Sequence, residues 1–280
     1  MEAFVQNAIA EGFTALGFSS HSPIPYPSPC NMNRERLDDY VQEFRRLKQQ
    51  YGSQIELYLS LELDYISFLP NRGKFLFDYF PDYPLDYRIG SVHYVLCPEA
   101  GEHRGKRELT LVDLDVSGAR FDRLMCKYFP TRDDQDSLLD TYLSNHIALA
   151  RHPGVDIIAH PFKMIQLFYH SRPDLVGSGR SRSYIEQFFL EAARNQKVVE
   201  VNTKNACEQG EFYPDLSVFS LMKECGCRVT VNSDAHFPNR INNGRRKALE
   251  ALYDAGYREV MELHHNRWSP VSINLQCPAL

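Results

Sequence analysis

The stretch Arg228-Val-Thr-Val-Asn-Ser-Asp-Ala-His236 predicts a β-branched strand that ends in two side chains able to bind a metal. Successive side chains of a strand point to opposite faces, so Asp234 and His236 would project on the same side. A carboxylate and an imidazole held together are suitable ligands for a divalent cation. The alternative is a strand followed by a polar turn, because Asn, Ser and Asp favour turns.

Five further apolar runs have the length of a strand and end in polar residues. They are Ala15–His21, Ile55–Glu62, Tyr87–His93, Asp156–His160 and Val198–Thr203. None shows the stripe of apolar residues that marks a helix. A single His or Glu at a strand end is more often a solvated loop residue than a ligand. The repetition at His21, Glu62, His93 and His160 instead predicts one shared metal site.

Segments with helical spacing separate these runs. The predicted helices are Met1–Gly12, Asn33–Tyr51, Ser137–Arg151, Ser183–Gln196, Ser217–Cys225 and Asn243–Ala255. Alternating strands and helices indicate parallel strands joined by right-handed crossovers. Working residues of such folds gather at the carboxyl ends of the strands, which is where the candidate ligands stand. The pattern therefore predicts an α/β fold resembling a TIM barrel.

Composition restricts the class of protein. A chain of 280 residues with 43% apolar residues can form one domain, 1–280, around a single large core. The net charge of −5 argues against a broad nucleic-acid surface but not against a small anionic substrate. The sequence has no apolar run of membrane-spanning length and no signal-peptide pattern, and its seven cysteines are typical of reduced thiols. We therefore expect a cytoplasmic protein that acts on no membrane.

Two segments are irregular. Asn71–Pro84 is rich in aromatic residues, for which we expect core packing. Residues 97–136 are expected to be an inserted loop region with a short strand at Glu108–Leu114, although long loops of this kind often shape substrate pockets.

Together, five motifs resemble those of the PHP (polymerase and histidinol phosphatase) superfamily. They are Ser-Ser-His21-Ser-Pro, Ser-Leu-Glu62-Leu-Asp-Tyr, Gly-Ser-Val-His93-Tyr, Ala-His160-Pro and Ser-Asp234-Ala-His236, and Glu200-Val-Asn-Thr203 continues the same order as a sixth. The run Leu85-Asp-Tyr-Arg-Ile-Gly-Ser-Val-His93 is most similar to the histidinol-phosphate phosphatase branch. The resemblance extends over nearly the whole chain, from about Met1 to Trp268.

The resemblance implies a distorted seven-stranded (β/α) barrel that holds up to three divalent metals, zinc, iron or manganese. Carried over residue by residue, Glu62, His93 and His160 form one site, with Glu62 bridging to a second. Asp234 belongs to that second site, and His21 and His236 share the third. A metal-activated water, rather than a catalytic side chain, attacks the phosphate. The implied reaction hydrolyses L-histidinol phosphate to L-histidinol and phosphate in histidine biosynthesis.

One departure from the family pattern concerns the beginning of the chain. The resemblance implies a first strand carrying His-x-His, followed by a further metal-binding His. This sequence opens at Met1-Glu-Ala-Phe-Val, which resembles the helix after that loop. We therefore expect the first strand to be absent from these 280 residues, fewer metals to bind, and the natural protein to extend upstream by on the order of 20 residues.

Substrate recognition is less constrained by the sequence. A small phosphorylated substrate needs cationic partners, and Lys163, Arg240 and Arg88 lie near the predicted strand ends, although surface roles are as consistent with the pattern. Asn202 could bind substrate or secure a loop. We expect the remaining histidines, His146 among them, at the surface.

Two other functions remain open from the sequence. The barrel could hydrolyse another phosphate ester or a nucleotide, or it could be a catalytically impaired barrel with a binding role. The oligomeric state is not constrained by the sequence.

Overall fold

Six parallel strands form one curled sheet, a half-barrel, in the computed structural model. The structure describes residues 1–25, 28–66, 83–98, 109–116, 118–176 and 178–275. The strands of the half-barrel are β1 (Ala15–His21), β2 (Glu56–Asp64), β3 (Ile89–Ser91), β6 (Ile157–Ile158), β7 (Val198–Asn202) and β8 (Arg228–Asn232), paired in that order. All five neighbouring pairs are parallel, as the alternating sequence predicts.

The register of the sheet brings the strand ends together. His21 pairs with Glu62, and Glu62 pairs with Ile89, so the ends of β1 and β2 lie level with β3. Among the described residues, β1 pairs with β2 alone and β8 with β7 alone, which leaves an opening between the two edge strands.

Two antiparallel hairpins lie outside the half-barrel. The first joins β4 (Tyr94–Pro98) to β5 (Leu109–Asp113), and the second joins β9 (Glu259–His264) to β10 (Arg267–Ser272). The strand β5 confirms the one predicted near Glu108–Leu114. The rest of the region 97–136 differs from the expected loop, because its described part also contains the helix Gly118–Tyr128 and the start of the next helix.

Eight described helices lie in the connections between strands, and one precedes β1. They are α1 (Glu2–Ala10), α2 (Leu37–Tyr51), α3 (Gly118–Tyr128), α4 (Arg132–Arg151), α5 (Ile165–Ser171), α6 (Pro173–Val176), α7 (Gly179–Arg194), α8 (Phe219–Glu224) and α9 (Arg245–Asp254), with short 3₁₀ turns at Arg34–Arg36, Leu216–Val218 and Pro238–Arg240. Apart from Tyr83 and Pro84, the aromatic segment Asn71–Pro84 lies outside the described residues.

Two helices begin earlier than predicted because of their caps. The Thr131 hydroxyl accepts the Asp134 N–H at 3.1 Å, and the Asp134 carboxylate accepts the Thr131 N–H at 3.0 Å, a capping box that starts α4. The Ser178 hydroxyl accepts the Ser181 N–H at 3.2 Å and starts α7. Each cap satisfies backbone donors that the first turn leaves unpaired.

His146 lies in the core, so its expected surface position is wrong. It packs beside Tyr142, Phe162 and Phe188 and is 1% exposed. Its Nδ1–H donates to the Tyr142 carbonyl at 3.0 Å, and its Nε2 accepts the Phe162 N–H at 3.4 Å. Burial lowers the pKa of His146 to about 3, so the ring is neutral at physiological pH.

We predict that His146 makes the fold sensitive to acid. The unfolded chain protonates this ring below a pH of about 6.5, whereas the folded chain does not. The free energy of unfolding therefore decreases by up to about 1.4 kcal/mol for each pH unit by which the solution is acidified. The stability that the neutral His146 ring contributes is lost progressively as the pH falls from 6.5 to about 3. Urea unfolding of wild type and His146→Leu across pH 4–7 should show a shallower pH dependence in the variant. Parallel pH profiles would contradict the assignment.

Candidate metal centre

Glu62, His93 and His160 form a buried cluster of possible metal ligands. Their donor atoms lie within 4.8 Å of one another. His160 Nε2 is 2.9 Å from Glu62 Oε1 and 3.2 Å from His93 Nε2, and the three residues are buried. One carboxylate and two imidazoles are a donor set that suits Zn²⁺, Fe²⁺ or Mn²⁺. The residues present therefore fit one divalent ion, which the Glu62 carboxylate and the Nε2 atoms of His93 and His160 would hold.

The charges of the cluster compensate one another. Burial raises the pKa of Glu62, but the hydrogen bond from His160 and the nearby His21 and His93 rings more than offset it and hold the pKa well below its usual range. Glu62 is therefore ionised and available as a ligand. The Ser91 hydroxyl also donates to this carboxylate.

His93 is oriented by Asp64, a residue that we did not single out from the sequence. The Asp64 carboxylate is fully buried and lies 2.6 Å from His93 Nδ1. It also accepts the Asn31 amide at 3.0 Å, and Asn31 donates in turn to the Ser22 carbonyl at 2.8 Å. Burial lowers the pKa of His93, but Asp64 outweighs that effect and raises it to about 9. Asp64 thus fixes Nδ1 as the protonated nitrogen and leaves Nε2 facing Glu62 and His160.

The backbone at His160 is strained and is held by Glu200. His160 has a φ of 25°, in the left-handed region, where the strand β6 has ended and Pro161 follows. The His160 N–H donates to the buried Glu200 carboxylate at 2.7 Å. Glu200 also accepts the side-chain amides of Asn202 and Asn232 at 3.1 and 2.9 Å. This network stabilises a conformation that costs about 1–3 kcal/mol.

The structure places the remaining predicted ligands around the same cavity. A cavity of about 640 Å³ is lined by His21, Glu62, His160, Asp234 and His236. His21 Nδ1 is 3.5 Å from Glu62 Oε2, and a second possible ligand group joins His21 to Asp64 and His93.

Asp234 and His236 contact each other. His236 Nδ1 is 3.5 Å from Asp234 Oδ1, and its N–H donates to the Asp234 carbonyl at 2.9 Å. Among the described residues, neither belongs to a compact group of three ligands. The ammonium of Lys204, another residue that the sequence analysis did not single out, contacts both side chains.

The four predicted substrate residues occupy different environments. Lys163 lines a second cavity of about 360 Å³ that also reaches His93 and His160, and its ammonium is 2.5 Å from Asp115. Burial lowers the pKa of Lys163, but Asp115 raises it by more, so the group is charged.

Asn202, Arg240 and Arg88 are engaged in other contacts. The Asn202 amide donates to Glu200 and Asp234, which secures the loop after β7. Arg240 pairs with Glu208 at 2.6 Å, and Arg88 precedes β3, at the end of that strand opposite the ligands. The structure therefore brings Lys163 and Asn202 to the site but not Arg88, and it places Arg240 in an exposed ion pair.

A family model named PHP domain matches residues 1–204 of this chain. The chain belongs to the PHP domain family. That match includes His21, Glu62, His93 and His160 and supports the assignment suggested by their motifs. It ends at Lys204, before the Asp234–His236 pair.

Similar proteins extend the likeness over most of the PHP chain. The "Probable histidinol-phosphatase" of Schizosaccharomyces pombe is 27% identical and aligns over 91% of this chain and 81% of its own length. The protein of the same description from Deinococcus radiodurans is 25% identical over 95% and 91%.

The fold is also similar to a solved histidinol phosphate phosphatase. The Lactococcus lactis crystal structure, complexed with zinc, L-histidinol and phosphate, has a TM-score of 0.67 to this chain at 16% identity. The similarity covers 96% of this chain and 92% of the other. None of the described helices is both long and apolar enough to cross a membrane.

We predict that Asp64→Asn weakens metal binding without unfolding the protein. Loss of the carboxylate that orients His93 should reduce metal affinity about ten- to a hundredfold. Competition with a colourimetric zinc chelator measures the affinity, and circular dichroism checks the fold. Asp39→Asn, at an exposed position of α2, is the matched control. Equal affinity in Asp64→Asn and wild type would show that Asp64 does not position His93.

Proposed function

We propose that this PHP protein is a metal-dependent phosphatase that hydrolyses L-histidinol phosphate to L-histidinol and phosphate. The observation that carries the proposal is the buried Glu62–His93–His160 cluster at the strand ends of a histidinol-phosphatase-like fold. Relatives described as histidinol-phosphatases match most of the chain, in support of this substrate. Histidine biosynthesis is the corresponding role, and the cytoplasm is the compartment in which we expect it.

The chemistry follows from what each residue can do. A divalent ion held by Glu62, His93 and His160 supplies Lewis acidity and an activated water. Lys163, charged and close to the two histidines, is placed to bind a phosphate oxygen. Asp64 keeps His93 in one tautomer, and Glu200 keeps the His160 backbone in place. Binding an ion requires neutral imidazoles, so metal binding should release protons.

The second cavity fits the leaving group. It extends from His93 and His160, past Lys163, to Asn205, Glu211 and Tyr213. Asn205 donates to the Tyr213 hydroxyl at 2.8 Å and approaches Glu211 at 3.4 Å. We infer that the phosphate lies at the histidine end and that the cationic amino alcohol lies near the Glu211 carboxylate. Charge complementarity supports this orientation.

We predict that Glu211→Gln changes substrate selectivity. Removal of the carboxylate should raise KM for histidinol phosphate about tenfold, because a charge-assisted hydrogen bond contributes about 1.5–3 kcal/mol. The KM for p-nitrophenyl phosphate, whose leaving group carries no cation, should stay the same. Glu250→Gln, which removes a carboxylate that pairs with Arg246 on the outer face of α9, is the control. Equal KM changes for both esters would contradict a role in recognising the cation.

A substrate panel tests the proposed function directly. The full chain, loaded with Zn²⁺ or Mn²⁺, is assayed with histidinol phosphate, a sugar phosphate and a dinucleotide. Preference for histidinol phosphate, abolished in His160→Ala, supports the proposal. Preference for another ester would assign a different PHP substrate. No hydrolysis by the metal-loaded chain would favour an impaired barrel with a binding role.

We also propose the finer feature of a seven-stranded barrel. The larger cavity is lined by residues of both edge strands, including Phe18, Ser20 and Val231, so a seventh strand could fit between β1 and β8. A crystal structure with β1 hydrogen-bonded directly to β8 would contradict this. The family pattern implies up to three metals. Lys204 contacts two of the implied ligands, Asp234 and His236, and therefore affects how many ions can bind.

A further inference from the structure

The ammonium group of Lys204 lies between two predicted metal ligands. Lys204 follows β7, and its Nζ is 3.2 Å from Asp234 Oδ2 and 3.4 Å from His236 Nε2. The Lys204 N–H donates to the Asn202 side chain at 3.0 Å, and the Lys204 carbonyl accepts the Asn243 amide at 2.9 Å. Its backbone is thus fixed on both sides, and the side chain extends from a defined position.

The lone pairs that a metal would need are directed at this lysine. The His236 Nδ1–H donates to the Asp234 carbonyl, which leaves Nε2 as the acceptor facing Lys204. Asp234 adopts a left-handed backbone, with φ of 46°, that turns its carboxylate toward the loop after β7. One carboxylate oxygen and one imidazole nitrogen therefore share a single ammonium donor.

The Glu62 cluster differs in this respect. Within the described residues, the ion-pair partners of Glu62 are the imidazoles of His21, His93 and His160, and no lysine takes part. The Asp234–His236 pair, in contrast, already contacts the side-chain nitrogen of Lys204.

We propose that Lys204 occupies the Asp234–His236 pair in place of a divalent ion. An ammonium that takes up Asp234 Oδ2 and the single lone pair of His236 Nε2 leaves these two atoms unable to bind a divalent ion at the same time. The chain therefore binds fewer ions than its family pattern implies. This inference rests on the metal centre proposed above and not on the identity of the ester.

A simple surface ion pair is the competing explanation. The side chains of Lys204 and Asp234 are 31% and 20% exposed, and such pairs contribute about 0–1 kcal/mol to stability. If Lys204 were only a surface partner, a metal ion would displace it easily. Removing the ammonium would then leave the number of bound ions unchanged, whereas a stand-in cation predicts an increase.

The test counts metal ions in lysine variants. Metal-free wild type, Lys204→Met and Lys204→Arg are titrated with Mn²⁺, and free Mn²⁺ is measured by electron paramagnetic resonance. Lys223→Met, which removes an equal charge from a lysine stacked on Tyr257, is the matched control. We expect Lys204→Met to bind one more Mn²⁺ ion per chain than wild type, or to bind its weakest Mn²⁺ ion about tenfold more tightly than wild type does. Lys204→Arg and Lys223→Met should match wild type.

Two results would overturn the proposal. One is an unchanged number and affinity of Mn²⁺ ions in both Lys204→Met and a second neutral variant, Lys204→Gln, each shown to be folded by circular dichroism. The other is weaker Mn²⁺ binding in these variants. Failure of the proposed metal centre would give a result distinct from both of these, because wild type would then bind no Mn²⁺ at Glu62–His93–His160. Even in that case, a gain in Lys204→Met would support the role of the lysine, and no gain would refute it.

Discussion

Burial of the Glu62 carboxylate beside two imidazoles imposes a charge balance that the rest of the site has to satisfy. An isolated carboxylate in the interior costs several kcal/mol, so Glu62 needs protonated histidines or a bound cation. The structure supplies the histidines at 2.9 and 3.5 Å; Asp64 holds the ring of His93, and Glu200 holds the backbone of His160. A divalent ion is the partner that lets the same carboxylate stay buried when the imidazoles are neutral.

The half-barrel explains why these groups meet at all. Parallel strands place their carboxyl ends at one edge, and the His21–Glu62 register aligns two of the ligands. His93 and His160 follow β3 and β6, so each crossover delivers one imidazole to that edge. Lys204 and Asp234 arrive in the same way after β7 and β8. The same arrangement of strand ends thus provides two histidines for a metal and places the Lys204 side chain next to Asp234.

The parts that could be predicted from sequence are those determined by short-range pattern. Alternation along the strands and polar strand ends identified Glu62, His93 and His160, and β1 spans Ala15–His21 as predicted. The same alternation could have identified Asp64, two residues beyond Glu62. The start of α4 was likewise readable from Thr131 and Asp134. These signals lie within a few residues of one another.

The remaining features depend on contacts between distant residues. The left-handed His160 is stabilised by Glu200, forty residues away, and Lys204 meets His236 across a similar separation. His146 contacts Tyr142 within its own helix, but its other aromatic partners come from the turn after β6 and from α7. A hairpin such as β9–β10 turns through His265 and Asn266 at positive φ, without the glycine that usually announces such a turn.

X-ray absorption spectroscopy of the zinc-loaded chain at one equivalent tests the central claim most directly. The account predicts a first shell of two imidazole nitrogens and carboxylate or water oxygens, at about 2.0–2.2 Å, that loses imidazole scattering in His160→Ala. An unchanged first shell in His160→Ala, or a sulfur-containing shell, would contradict a centre built on Glu62, His93 and His160.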